Sequence, residues 1–99
     1  MTEGTKLSVL DVLPNIAERT TVCVVRCLQG TARLGMRFVV EPSGGEKRGS
    51  APLTLTNIKW YGKDVEQLDT VHSAKVTLQG EDAKNLTPGI LLTTLHETI

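Results

Sequence analysis

Three groupings of side chains could in principle do acid–base or nucleophilic chemistry, and none is spaced for it. Asp69, His72 and Ser73 supply the residue types of a nucleophile with its base and orienting acid. Neighbouring residues of a strand face opposite sides, so His72 is not placed to activate Ser73. Glu81-Asp82 is an acidic pair in a polar stretch and reads as a solvated connector rather than an acid/base pair. His96-Glu97 lies close to the terminus, where chains fray. Neither a Gly-x-Ser-x-Gly elbow nor a His-Glu-x-x-His metal motif occurs. No enzyme, no cofactor and no metal are expected.

Cys23 and Cys27 are the two cysteines. In a strand their spacing puts both on one face, roughly 13 Å apart. A disulfide needs Cα atoms within about 7 Å, so an extended strand keeps them apart. His72 and His96 show no ligand-like spacing with them, so a zinc site is not indicated. They read as two small buried apolar side chains, and reduced thiols fit a cytoplasmic protein.

Binding chemistry is better represented. Between Glu18 and Glu41 there is no acid but four arginines, Arg19, Arg26, Arg33 and Arg37. From Asp64 to Asp82 there are five acids and one lysine, Lys75. On the outer face of one hairpin, Arg26, Arg33 and Arg37 would make a positive patch able to meet phosphates in bidentate fashion. The plainer alternative has these arginines covering apolar surface and pairing with the acidic segment. Lys59-Trp60-Tyr61-Gly62-Lys63 places two aromatics among lysines, suited to stacking bases or to anchoring a protein interface. The two rings cannot both enter the core from one strand. One reading puts an aromatic outside; the other puts Trp60 in the core beside Ile58 with Tyr61 capping an end.

The elements that must position these residues are strands. Lys6 to Val12 alternates, with Leu7, Val9 and Asp11 on one face and Ser8, Leu10 and Val12 on the other. Pro14-Asn15 breaks it. Thr20 to Leu28 is the most β-prone segment, with Cys23, Val25 and Cys27 on its apolar face. Gln29-Gly30-Thr31 is a turn, and Ala32 to Glu41 returns as a strand interrupted at Gly35 by a bulge or tight turn. Residues 42–52 (PSGGEKRGSAP) read as a long flexible hairpin loop. Leu53 to Tyr61 alternates but slips parity near Asn57, as a bulge or bend would make it. Lys63 to Asp69 is polar and turn-like, Val71 to Gln79 is a strand, residues 81–86 are a connector with one helical turn, and Ile90 to Leu95 is the last strand. Six or seven short strands with turns every eight to twelve residues indicate a small antiparallel β-barrel or sandwich.

Composition agrees. Ninety-nine residues make one domain able to bury a modest core. Eleven Lys/Arg balance eleven Asp/Glu, which excludes the basic excess of a non-specific nucleic-acid coat. Apolar runs reach only three or four residues, so no membrane span is expected, and the Met1-Thr2-Glu3-Gly4 start has no signal-peptide character.

The ordered motifs resemble the second domain of the translational GTPases, the β-barrel that follows the nucleotide-binding domain in elongation factor Tu and its relatives. Leu7-Ser-Val-Leu-Asp11-Val12 is similar to the opening strand, which ends in Asp-Val. Glu18-Arg19-Thr20-Thr21-Val22, then Val25-Arg26-Cys27 and Gly30, stand where the family has Gly-Arg-Gly-Thr-Val, then Gly-Arg-Val and a turn glycine. Gly35 falls at the next glycine. Val76-Thr-Leu-Gln-Gly80 and Pro88-Gly89-Ile-Leu match the ending, with the family's nine-residue interval from Gly80 to Gly89. The likeness runs from about Leu7 to Leu92. Thr20, Val25 and Val71 depart from family glycines, so a family pocket is expected to be closed here. No Gly-x-x-x-x-Gly-Lys-Ser/Thr loop is present, and ninety-nine residues leave no room for a nucleotide-binding domain. Met1 reads as a natural start, so a stand-alone barrel is expected rather than an excised piece.

The resemblance implies RNA contact, to ribosomal RNA or the acceptor end of tRNA, through Arg19, Arg26, Arg33 and Arg37 with help from Lys59 and Tyr61. From another class comes a protein-interaction module, an adaptor, inhibitor or immunity-type partner using a strand edge or the 42–52 loop.

Overall fold

A computed structural model of the chain describes residues 5–13, 19–40, 52–81, 83 and 86–94. The Pro14-Asn15 break, the loop over 42–51, Asp82 and His96-Glu97 lie outside the described residues.

Nine strands account for most of what is described: β1 (Lys6–Val12), β2 (Thr20–Gln29), β3 (Thr31–Arg33), β4 (Arg37–Val40), β5 (Leu53–Trp60), β6 (Lys63–Val65), β7 (Gln67–Asp69), β8 (Ser73–Gln79) and β9 (Leu91–Thr94). Seven of them form one sheet in the order β4-β9-β1-β2-β8-β5-β6, and β4 also pairs with β5. That last pairing closes a ring of six antiparallel strands, with β6 folded back on β5 as a seventh. The expected six- to seven-stranded antiparallel architecture is therefore found. β3 and β7 make a separate two-stranded sheet.

Alternation explains the inside of the ring. Leu7, Val9, Cys23, Val25, Cys27, Phe38, Leu53, Leu55, Ile58, Val76, Leu78 and Leu92 are fully buried. Each such aliphatic or aromatic side chain stabilises the fold by about 1.5–3 kcal/mol on burial. The parity slip near Asn57 is a bulge: Leu55 faces Leu78, but Asn57 already faces Thr77. A second bulge departs from simple alternation. Val9 faces Val25 and Asp11 faces Val24, so Leu10 is an extra residue. Asp11 thereby leaves the face of Leu7 and Val9, and Val12 turns in to pack against the core.

The interruption expected at Gly35 is a tight turn: Leu34 and Gly35 (φ +90°) send β3 to β7 and β4 into the ring. One element differs from the sequence expectation. Lys63 to Asp69 is not a turn but two three-residue strands, whose buried member Leu68 faces Ala32. Gly80 has a definite packing role: a Cβ there would lie 2.5 Å from the Pro52 carbonyl oxygen. Its amide donates to the Arg19 carbonyl at 2.8 Å. A 3₁₀-type bond from the Ala83 amide to the Gly80 carbonyl, 3.2 Å, begins the connector that follows. No helix among the described residues is long and apolar enough to cross a membrane.

Candidate nucleic-acid interface

The arginines are exposed but dispersed. Arg19 precedes β2, Arg26 lies near its far end, Arg33 ends β3 and Arg37 begins β4. Arg19 and Arg26 are seven residues apart on an extended chain, roughly 23 Å. β2, β3 and β4 are not paired with one another, since β3 is drawn to β7 and β4 to β5 and β9. The single arginine hairpin therefore does not form. Arg37 faces Thr54 on a distant part of the ring.

Register instead builds a different basic cluster on the outer face of β2, β8 and β5. Val24 faces Lys75, Lys75 faces Lys59, and Lys59 faces Asp64, four side chains on one row across four strands. The next row holds Ser8, Arg26 and Ser73. Arg26 and Lys75 are thus diagonal neighbours, about 7–8 Å apart at the backbone. Neither has an ion-pair partner among the described residues, whereas Lys59 Nζ meets Asp64 Oδ1 at 3.2 Å. The Lys59 hydrogen bond and charge hold the Asp64 carboxyl below its ordinary range.

Tyr61 directly follows β5, two residues on from Lys59 in the chain. It is 86% exposed and lies in the β5–β6 turn with φ +55°, followed by Gly62 at +79°. Two positive φ values make a tight two-residue hairpin turn that Asn-Gly fills most easily. A tyrosine there holds a costly backbone conformation while exposing its ring. Its ring meets Trp60 edge-on at 4.9 Å, and Trp60 meets His72 at 5.5 Å. Neither aromatic is in the core: Trp60 is 37% exposed, and Tyr61 belongs to the turn rather than the strand.

Of the six residues chosen from sequence, the fold groups Arg26 and Lys59 around Lys75, with Tyr61 in the turn that follows β5. Lys75 was missed. The lone cation of an acid-rich segment reads as counter-charge until strand pairing sets it beside Lys59. His72 and Ser73 separate as expected, His72 toward Trp60 and Ser73 opposite Arg26 on the outer face. Among the described residues no three His, Cys, Asp or Glu side chains converge as metal ligands would. Cys23 and Cys27 are free and fully buried, and burial pushes the Cys23 thiol up to about 12. Burial also raises Cys27, partly countered by hydrogen bonding with the Gln29 carbonyl and Thr70.

No family model and no curated protein sequence matches the chain. Solved structures do. Translation elongation factor SelB from Methanococcus maripaludis matches with a TM-score of 0.75 and 21% identity, over 92% of this chain and 19% of that one, in its apo form and with the GTP analogue GppNHp. GDP-bound aIF5B from Aeropyrum pernix matches with a TM-score of 0.67 and 19% identity, over 94% of this chain and 15% of that one. The chain spans a fifth or less of these translation factors, and the likeness is one of fold. The fold implied by the motif resemblance is the one found.

Proposed function

We propose that the chain is a non-catalytic binding module that docks RNA of the translation machinery, ribosomal RNA or tRNA, on the outer face of β2, β8 and β5. The observation that carries this reading is the Lys59–Lys75 pair with Arg26 diagonal to it. Like charges directly opposite on a ladder destabilise a sheet, and a phosphate between them would reverse the sign of that interaction. Tyr61, held exposed in the turn that follows β5, offers a ring on which an unpaired base can stack. Arg19, Arg33 and Arg37 lie outside this patch and are assigned no part in it.

A protein partner through a strand edge fits less well. Ring closure leaves β6 and the β3–β7 pair as edges among the described residues, each strand three residues long. Such short edges are poor templates for strand addition.

Fluorescence anisotropy with labelled tRNA and with a twelve-nucleotide single-stranded RNA tests the reading. Three phosphate contacts give a log–log salt slope of about −2 for a single strand. Reversing Arg26 and Lys75 to Glu is expected to abolish binding; affinity that survives both reversals and high salt overturns the assignment.

A further inference from the structure

The inner side of the β5–β6 hairpin carries a second feature, of opposite character to the basic face. There a cleft of about 250 Å³ opens between Trp60, Val65, Glu66, Leu68, Asp69 and His72. Its wall is aromatic, Trp60 against His72 at 5.5 Å, and its floor is apolar. Two carboxylates line it. Asp69 Oδ1 accepts from Gln67 Nε2 at 3.2 Å and from Thr31 Oγ1 at 3.4 Å. Glu66 has no ion-pair partner among the described residues. Among the described residues no lysine or arginine lines the cleft. The nearest by register are Lys63, opposite Trp60, and Arg33, opposite Gln67, both exposed.

We propose that this cleft receives the guanidinium of an arginine presented by a protein partner. Its volume is below the roughly 300–1,000 Å³ of small-molecule sites, which suits one side chain rather than a cofactor or nucleoside. Tryptophan is the strongest aromatic partner for a cation, and arginine's planar head stacks on such a ring while its N–H groups reach carboxylates. Glu66 and Asp69 repel phosphate, so the occupant is not the RNA of the opposite face. The inference rests on residues that the RNA reading does not use.

Trp60 is the only tryptophan, so its fluorescence and indole N–H resonance report the cleft directly. The probe is N-acetyl-arginine methylamide, with the citrulline analogue as its neutral isostere. Saturable shifts of Trp60, Val65 and Leu68 are expected with arginine, and at least about tenfold weaker binding with citrulline. Glu66→Gln should weaken the arginine probe about threefold, and Trp60→Leu, followed on the Val65 and Leu68 amides, about tenfold. Lys75→Glu should leave it unchanged, which separates this cleft from the basic face. Equal binding of citrulline, arginine shifts centred on Asp64 instead, or saturation of the cleft by a short oligoadenylate would each overturn the proposal.

Discussion

Lys59 on β5 and Lys75 on β8 stand directly opposite one another on the outer face of the ring. Both are exposed, and among the described residues the counter-charge on that row is Asp64, at 3.2 Å from Lys59. A pair of like charges on one rung costs stability and is kept for some other reason. Replacing Lys75 with Thr, a good strand former, is therefore expected to raise stability by about 0.2–1 kcal/mol. The same change should weaken RNA binding several-fold and reduce the salt slope by about 0.7. Denaturant melts and anisotropy on one preparation decide it: a variant less stable than wild type would show the lysine serving the fold instead.

Asp64 restrains Lys59, and that restraint is separable. Its carboxyl titrates below the ordinary value of 3.8 because Lys59 hydrogen-bonds and charge-pairs with it. A depressed folded-state pKa contributes stability above the unfolded value, lost as pH falls through the lower folded one. The change is thus confined to pH below about 4. Following the Asp64 carboxyl carbon by NMR, Lys59→Gln should return its titration upward. At neutral pH, Asp64→Asn frees Lys59 and should tighten RNA binding about two- to threefold.

Val71 occupies the left-handed region, φ +67°, with 63% of its surface exposed. Its amide donates to the Cys27 carbonyl at 2.7 Å, which pins the turn in place. A β-branched residue there costs roughly 1–2 kcal/mol in the backbone, against less than about 1 kcal/mol of extra chain entropy for glycine. Val71→Gly should stabilise the domain by about 0.5–1 kcal/mol in thermal melts, while Val71→Ala should not.

Gly80 has the opposite constraint. Any side chain meets the Pro52 carbonyl at 2.5 Å and Leu53 Cδ2 at 3.0 Å. Backbone cannot yield as a flexible side chain would, so Gly80→Ala is expected to cost about 1–3 kcal/mol. A melt within experimental error of wild type would mean that the β5 entrance moves freely.

How far the fold could be read from sequence follows from these cases. Strands with an apolar face at every second position, such as Cys23, Val25 and Cys27, are legible because burial enforces the period. The slip at Asn57 was visible for the same reason. β6 and β7 were not: three-residue strands such as Lys63–Val65 hold too few apolar positions to set a period. Leu10 escaped because a bulge changes parity without changing composition. The site is harder still. Lys59 and Lys75 are neighbours only through a ladder, whereas Arg33 and Arg37, close in sequence, are parted by the Gly35 turn. Val71 shows what a resemblance adds, since a family glycine position marked the residue that now carries the strain.

The cysteines give the last prediction. Cys23 and Cys27 are both fully buried, and burial raises both thiols, Cys23 to about 12 from 9.0. A raised folded-state pKa contributes stability that is complete below the unfolded value and is lost as pH climbs toward the folded one. The window therefore opens near pH 9 and extends to about 12. Within it each thiol that ionises only in the unfolded chain lowers stability by about 1.4 kcal/mol per pH unit. The informative quantity is the difference between wild type and Cys23→Ala, which isolates the contribution of this one thiol. That variant should start lower, because a cavity replaces the sulfur, yet fall less steeply above pH 9. Native protein should also resist a thiol reagent at neutral pH and label fully in denaturant. Parallel stability curves, or rapid labelling of the folded chain, would mean that the β2 core opens far more readily than its packing implies.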